Sequence, residues 1–254
     1  MTFETEQFEL LAGEAEKFHE LVGRATCVLF DFDGPICRLF AGHSAKSIAT
    51  DQEEWLAARG LAGVLTEGER SSRDPHWVLS EVAGRHRGSD LVVELEEWLT
   101  QQELKAVARA MPTAYADPLI RTWRSVGARL AIVTNNSDRA VRAYLESRYL
   151  VAYFAPNIYG RTRDLSLLKP HPYTLNRALS ALGAAPDTTL MIGDTPSDHA
   201  AALSAGVHFL GYARNEEKAQ LLLDAGVPRW GIVRSLETVL RAVRGGAVRG
   251  GSGS

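Results

Sequence analysis

Five short runs rich in Val, Ile, Leu and Phe, at 26–32, 129–134, 152–159, 189–193 and 207–212, constrain this chain more than any other feature. None alternates strictly between apolar and polar residues, which is the pattern of strands covered on both faces in a parallel sheet. Helical segments separate the runs in the second half. Asp117 and Pro118 offer an N-cap and a first-turn residue, Leu119, Ile120, Trp123 and Val126 share an apolar face, and Gly127 fits the position just past the end. Further helices are predicted at roughly 138–148, 172–182, 198–204, 216–225 and 236–243. Strand alternating with helix predicts an α/β fold, a doubly wound, Rossmann-like parallel-sheet core.

The stretch 37–111 breaks that rhythm. It holds no convincing strand, and in one of its amphipathic helices Leu91, Leu95, Trp98 and Leu99 share a face. It is too long for a simple crossover and predicts an inserted all-helical cap domain, with 1–36 and 112–244 forming the core. The segment up to about Arg24 reads as a helix packed on that core. The Gly/Ser-rich end, 245–254, predicts a disordered tail.

Composition removes several function classes. Of 254 residues 45% are hydrophobic and 23% charged, which suits a folded globular chain. A net charge of −3 gives no basic field for nucleic acid. Cys27 and Cys37 have neither CxxC nor metal-ligand spacing. With an acidic N-terminus and no long apolar run, neither a secretory signal nor a membrane span is predicted, and the expected location is the cytoplasm.

Three polar clusters stand where apolar runs end: Asp31-Phe32-Asp33-Gly34, Thr134-Asn135-Asn136, and Gly193-Asp194 with Asp198 four residues on. Each alone reads as a turn or a helix cap, and Lys169 alone as a solvated charge. In an open parallel sheet, however, ligands bind outside the carboxyl ends of the strands. Asp31, Asp33, Asp194 and Asp198 would then crowd one cleft, and repulsion with desolvation would force some to protonate unless a cation and Lys169 intervened. Oxygen ligands of this kind suit a hard ion such as Mg2+. A helix after Thr134 would present its free N–H groups to an anion. Hard cation, anion pocket, carboxylate and lysine together describe phosphoryl chemistry.

These motifs resemble those of the haloacid dehalogenase-like hydrolase superfamily. DFDG at 31–34 is similar to its first motif, Thr134 within IVTNN to the second, Lys169 within LLKPHPYTLNRAL to the third and GDTPSD at 193–198 to the fourth, all in family order. An insert directly after the first motif resembles the helical cap of the phosphoglycolate phosphatase and β-phosphoglucomutase-like branch. The resemblance implies Asp31 as nucleophile and Asp33 as acid and base, its backbone carbonyl joining the metal shell. It implies Asp31, Asp33 and Asp194 around Mg2+, with Asp198 orienting waters or Lys169. Thr134, Asn135, Gly34 and Lys169 would hold the phosphoryl group. Pro35 departs from the Thr or Val frequent there and removes one backbone donor, so the resemblance is not carried to a particular substrate.

The function this implies is a Mg2+-dependent phosphatase for a small phosphorylated metabolite, working through an aspartyl-phosphate as a monomer or homodimer. A β-phosphoglucomutase-type phosphomutase and a non-catalytic phosphometabolite-binding protein are the alternatives. Arg38, His43 and Lys46 are candidates for reaching the leaving group, each equally readable as a surface charge. Arg161 and Arg163, which precede Lys169, read as surface residues, and His171 and His199 lie beside motif positions, where adjacency alone makes neither a ligand. Trp55, Trp77 and Trp98 are expected to fill the cap core.

Overall fold

A computed structural model describes residues 3–42, 44–66 and 74–250. Its strands are β1 (Cys27–Phe30), β2 (Cys37–Arg38), β3 (Met111–Pro112), β4 (Arg129–Val133), β5 (Ile158–Tyr159), β6 (Thr189–Gly193), β7 (His208–Tyr212) and β8 (Ile232–Val233). The helices are α1 (Phe3–Arg24), α2 (Ala45–Ala57), α3 (Pro75–Arg85), α4 (Asp90–Val107), α5 (Ala116–Ser125), α6 (Asp138–Ser147), α7 (Val151–Phe154), α8 (Tyr173–Leu182), α9 (Pro196–Ser204), α10 (Glu216–Asp224) and α11 (Leu236–Gly250).

One parallel sheet runs β5-β4-β1-β6-β7-β8. Both of its faces are covered, and β1 shows how. Val28 and Phe30 join the layer that includes Trp123, Phe154 and Leu240, while Cys27 and Leu29 join the opposite layer with Leu175, Ala178 and Ala201. Every residue of β1 is fully buried, so the strand shows no polar alternation. The chain leaves β1 toward β4 on one side and returns to β6 on the other. That reversal creates the crevice where ligands settle in open sheets.

Between β1 and β4, helices α2, α3 and α4 build a separate apolar cluster around Ile48, Leu56, Leu79, Leu95 and Leu99. Leu91, Trp55, Trp77 and Trp98 pack against it, half-buried, and Leu165 and Leu168 enter it from the core. The insert is not free of strands, as the sequence suggests it to be. Its two ends meet in an antiparallel ribbon, Cys37 opposite Pro112 and Arg38 opposite Met111, a pairing too short to leave a periodic trace.

Other expectations are corrected. The apolar run at 152–159 is not one strand: its first residues finish helix α7, which ends at Phe154, whose ring meets Phe30 edge-on at 6.0 Å, and only Ile158–Tyr159 pairs with β4. A short buried run fits either structure, and Pro156 separates the two pieces. The N-cap of α5 is Tyr115, in the left-handed region at φ 67°. Asp117 instead lies in the first turn and receives Arg148 Nη2 at 2.5 Å. Helix α11 continues to Gly250, past the expected end of the core, because Ala242 and Val243 still pack on the sheet layer and seed the next turns. Residues 251–254 and His43 lie outside the described residues. No helix among the described residues is long and apolar enough to cross a membrane.

Candidate active site

The ends of β1, β4 and β6 deliver Asp31, Thr134 and Asp194 to one cleft of about 380 Å³, also lined by Asp33, Lys169, Asp198 and Lys218. The close approach of two strand ends requires Gly34. Its φ is +126°, and a Cβ there would stand 2.5 Å from Asp194 Cγ. Pro35 follows inside a turn in which Gly34 N–H donates to the Cys37 carbonyl at 2.6 Å. Its missing N–H leaves that turn intact.

Lys169 is the hub. Its Nζ donates to Asp31 Oδ1 (2.7 Å), Asp198 Oδ1 (2.5 Å) and the Val133 carbonyl (3.0 Å). Burial works against its charge, but Asp198 and Asp31 outweigh that and hold it above the usual lysine range. Its backbone N–H donates to Asn135 Oδ1 and its carbonyl accepts from Asn135 Nδ2, fastening the lysine to the β4 loop. Asp198 Oδ2 accepts from the N–H groups of Asp194 and Thr195 and from Thr195 Oγ1. Asp198 is thus committed to capping α9 and holding Lys169.

Asp194 differs. Its Oδ2 accepts from Lys218 Nζ at 2.8 Å, while Oδ1 is buried with no hydrogen-bond partner. Burial pushes Asp194 up to about 6 against the pull of Lys218. Burial likewise pushes Asp31 up to about 6, opposed by Lys169 and reinforced by Asp198 and Asp194. Carboxylate oxygens of Asp31, Asp194 and Asp198 come within 4.8 Å of one another. An orphaned carboxylate oxygen among crowded acids is an all-oxygen donor set that fits a small hard cation. Asp33, half-buried, is also pushed up to about 6 by burial, and its Oδ1 accepts from Leu39 N–H at 2.8 Å. Leu39 directly follows β2, so the orientation of Asp33 depends on the ribbon at the base of the insert.

Several groups escaped the sequence. Arg161 is no surface residue: its side chain is 0% exposed and bonds Glu103, Glu96, Thr100 and the Asn135 carbonyl. Glu103 of α4 is 0% exposed as well, and its Oε1 accepts from Nε2–H of His76 of α3 at 3.0 Å on the cleft wall. Lys218, one of five lysines, sits in the first turn of α10. Its one legible signal was that scarcity. Of the named candidates, Arg38 lines the cleft, whereas Ser44 and Ala45 line it in place of Lys46. Arg163 is exposed. His171 Nδ1 accepts from Tyr173 N–H at 3.2 Å, and His199 packs on Phe209 with centroids 5.1 Å apart. Both are structural.

The trio Arg161, Glu103 and His76 has a pH signature. Burial opposes ionisation of Glu103, but Arg161 and His76 pull it from 4.5 to about 2. Its stabilising effect is therefore fully present above pH 4.5 and is lost as pH falls toward 2. Burial also opposes charge on His76, but Asp74 and Glu103 push it from 6.5 to about 9. Its effect is fully present below pH 6.5 and is lost as pH rises through about 9. The melting-temperature gap between wild type and His76→Gln is expected to shrink over that alkaline window. A gap that stays constant would show that His76 carries no charge in the fold.

Residues 25–206 match the model of the haloacid dehalogenase-like hydrolases. A phosphoglycolate phosphatase of Rhodospirillum rubrum is 30% identical over 202 residues, 74% of this chain and 80% of that protein. One from Neisseria meningitidis is 28% identical, covering 84% of this chain and 91% of the relative. Among solved structures, a predicted phosphatase from Clostridium acetobutylicum superposes with a TM-score of 0.62 at 20% identity, covering 86% and 97% of the two chains. A hydrolase of Deinococcus radiodurans with bound phosphate and sodium gives 0.57 at 23% identity over 89% and 98%. These solved structures share the fold.

Proposed function

Since the chain belongs to the haloacid dehalogenase-like hydrolases, in the branch of its phosphoglycolate phosphatase relatives, we propose that it is a Mg2+-dependent phosphatase of small phosphomonoesters that works through an aspartyl-phosphate on Asp31. The observation that carries this reading is Lys169 Nζ spanning Asp31 and Asp198 beside the orphaned Asp194 Oδ1. One arrangement thereby supplies a buried nucleophile, a fixed positive charge and a place for a cation.

The steps follow from what each residue can do. The Asp31 carboxylate attacks phosphorus and the ester oxygen departs with the bonding pair. Asp33, pushed up to about 6, gives that oxygen its proton. Asp33 then takes a proton from water as the water oxygen attacks the phosphoryl group, releasing Asp31 and inorganic phosphate. Lys169, Thr134 Oγ1 and the Asn135 N–H hold the transferring group. Asp31, Asp194 and the Asp33 carbonyl would hold Mg2+, with Asp198 acting through Lys169. When bound, the ion supplies positive charge against the crowded carboxylates and the phosphoryl oxygens.

The relatives act on phosphoglycolate by name, and a cleft of about 380 Å³ suits an ester of that size. Purified protein is expected to release phosphate from an aryl phosphate and from small phosphorylated acids with Mg2+. Chelation should stop release, and added Mg2+ should restore it. A rate indifferent to chelation would refute the cation requirement.

A further inference from the structure

We propose that Glu103, a residue of the inserted helices, is the positioning residue of the phosphate-holding turn 134–137, which takes its working geometry only while α4 is seated against the core. This rests on the phosphatase reading and names how that site is kept in order.

The carboxylate of Glu103 crosses from α4 into the core. Its Oε2 accepts from Ser137 N–H at 2.9 Å and its Oε1 from Asn136 Nδ2 at 3.1 Å. Ser137 is the N-cap of α6, so Glu103 occupies the first donor of that helix. Arg161 binds both oxygens of Glu103, at 2.9 and 3.2 Å, and its Nη1 also donates to the Asn135 carbonyl at 2.9 Å. Arg161 N–H donates to the Asn136 carbonyl. Residues 135, 136 and 137 are therefore each gripped by one ion pair.

The grip reaches Thr134. Asn136 N–H donates to Thr134 Oγ1 at 3.2 Å and fixes that oxygen, whose single proton goes to Asn136 Oδ1 at 3.1 Å until a phosphoryl oxygen takes it. Glu103 orients the Asn136 amide, and the amide orients the hydroxyl. The Asn135 N–H enters none of these bonds and is left to the ligand. A helix N-terminus that binds an anion ordinarily offers all its donors alike. In this chain Glu103 removes one of them and Arg161 neutralises the cost, so the anion is confined to the Thr134–Asn135 end. A pair this buried adds little net stability compared with apolar packing. Its consequence is the orientation it imposes, and half of it belongs to the insert.

Glu96 supplies a control. It binds the same Arg161 through Nε at 2.9 Å, is 30% exposed, and does not touch the turn. Glu103→Gln is expected to lower kcat about 10²-fold with KM within a few-fold, because misplaced groups weaken the transition state more than the ground state. Glu103→Gln is also expected to speed amide exchange across 134–140, whereas Glu96→Gln should leave both readouts within about twofold. If Glu103→Gln does not fold, the double variant Glu103→Gln/Arg161→Gln removes the lone buried charge and should fold with the same kcat loss. Equal effects of the Glu103 and Glu96 variants, or a folded Glu103 variant with wild-type kcat and exchange, would overturn the proposal. If wild type hydrolyses no phosphate ester, the phosphatase reading falls, yet the exchange comparison still decides whether Glu103 holds the turn.

Discussion

Asp31→Asn is expected to lower phosphate release by about 10⁴-fold or more, at any substrate concentration. The substitution keeps the size of the side chain and an oxygen that can accept from Lys169 Nζ, which lies 2.7 Å from Asp31 Oδ1. It removes the proposed nucleophile, since an amide does not form and release a phosphoryl anhydride. Stability should not suffer. Burial already pushes the Asp31 carboxyl up to about 6, so its ionised form is disfavoured in the fold and a neutral isostere relieves that strain. A soluble variant that melts no lower than wild type and shows no turnover is the expected pair of results, read by phosphate release and calorimetry. Residual turnover above about 1% of wild type would show that another group attacks phosphorus.

Asp33→Asn is expected to cost about 10²–10⁴-fold, and the loss should depend on the leaving group. An alkoxide departs only with a proton, so alkyl phosphates should show the full effect. A nitrophenolate departs unassisted, so a nitrophenyl phosphate should retain much more of the first step. Burst kinetics separate the steps, because the variant still lacks the base that activates water and should accumulate the phosphorylated enzyme. Uniform losses of the first-step (burst) rate across leaving groups would assign Asp33 a role other than proton transfer. Its position makes that role depend on the insert: Oδ1 is held by Leu39 N–H, and Asp33 itself bridges to Cys37 of β2. Movement at the ribbon would turn the acid away from the leaving group.

Much of this was legible in the chain itself. Strand ends could be placed because β1, β4 and β6 are buried on both faces and therefore apolar beyond the Arg129 and Thr189 that open the latter two, and their polar successors mark where the sheet stops. Asp31, Thr134 and Asp194 follow from that alone, with Asp33 and Gly34 beside them. Lys169 needed the motif order, since nothing local distinguishes it from a surface lysine. The short pieces were illegible: a two-residue strand such as β8 has no periodicity, and the run ending at Phe154 satisfies helix and strand alike.

The sequence by itself determined which carboxylates meet at the sheet edge, because parallel strands all point their ends one way. Only the tertiary structure decided what surrounds them. Glu103 and Arg161 stand 58 residues apart; in the sequence nothing singles out Glu103, and Arg161 reads as a surface residue. Docking of α4 on the core withdraws both from water. Once buried, each charge requires the other, and that requirement exists in the folded chain alone.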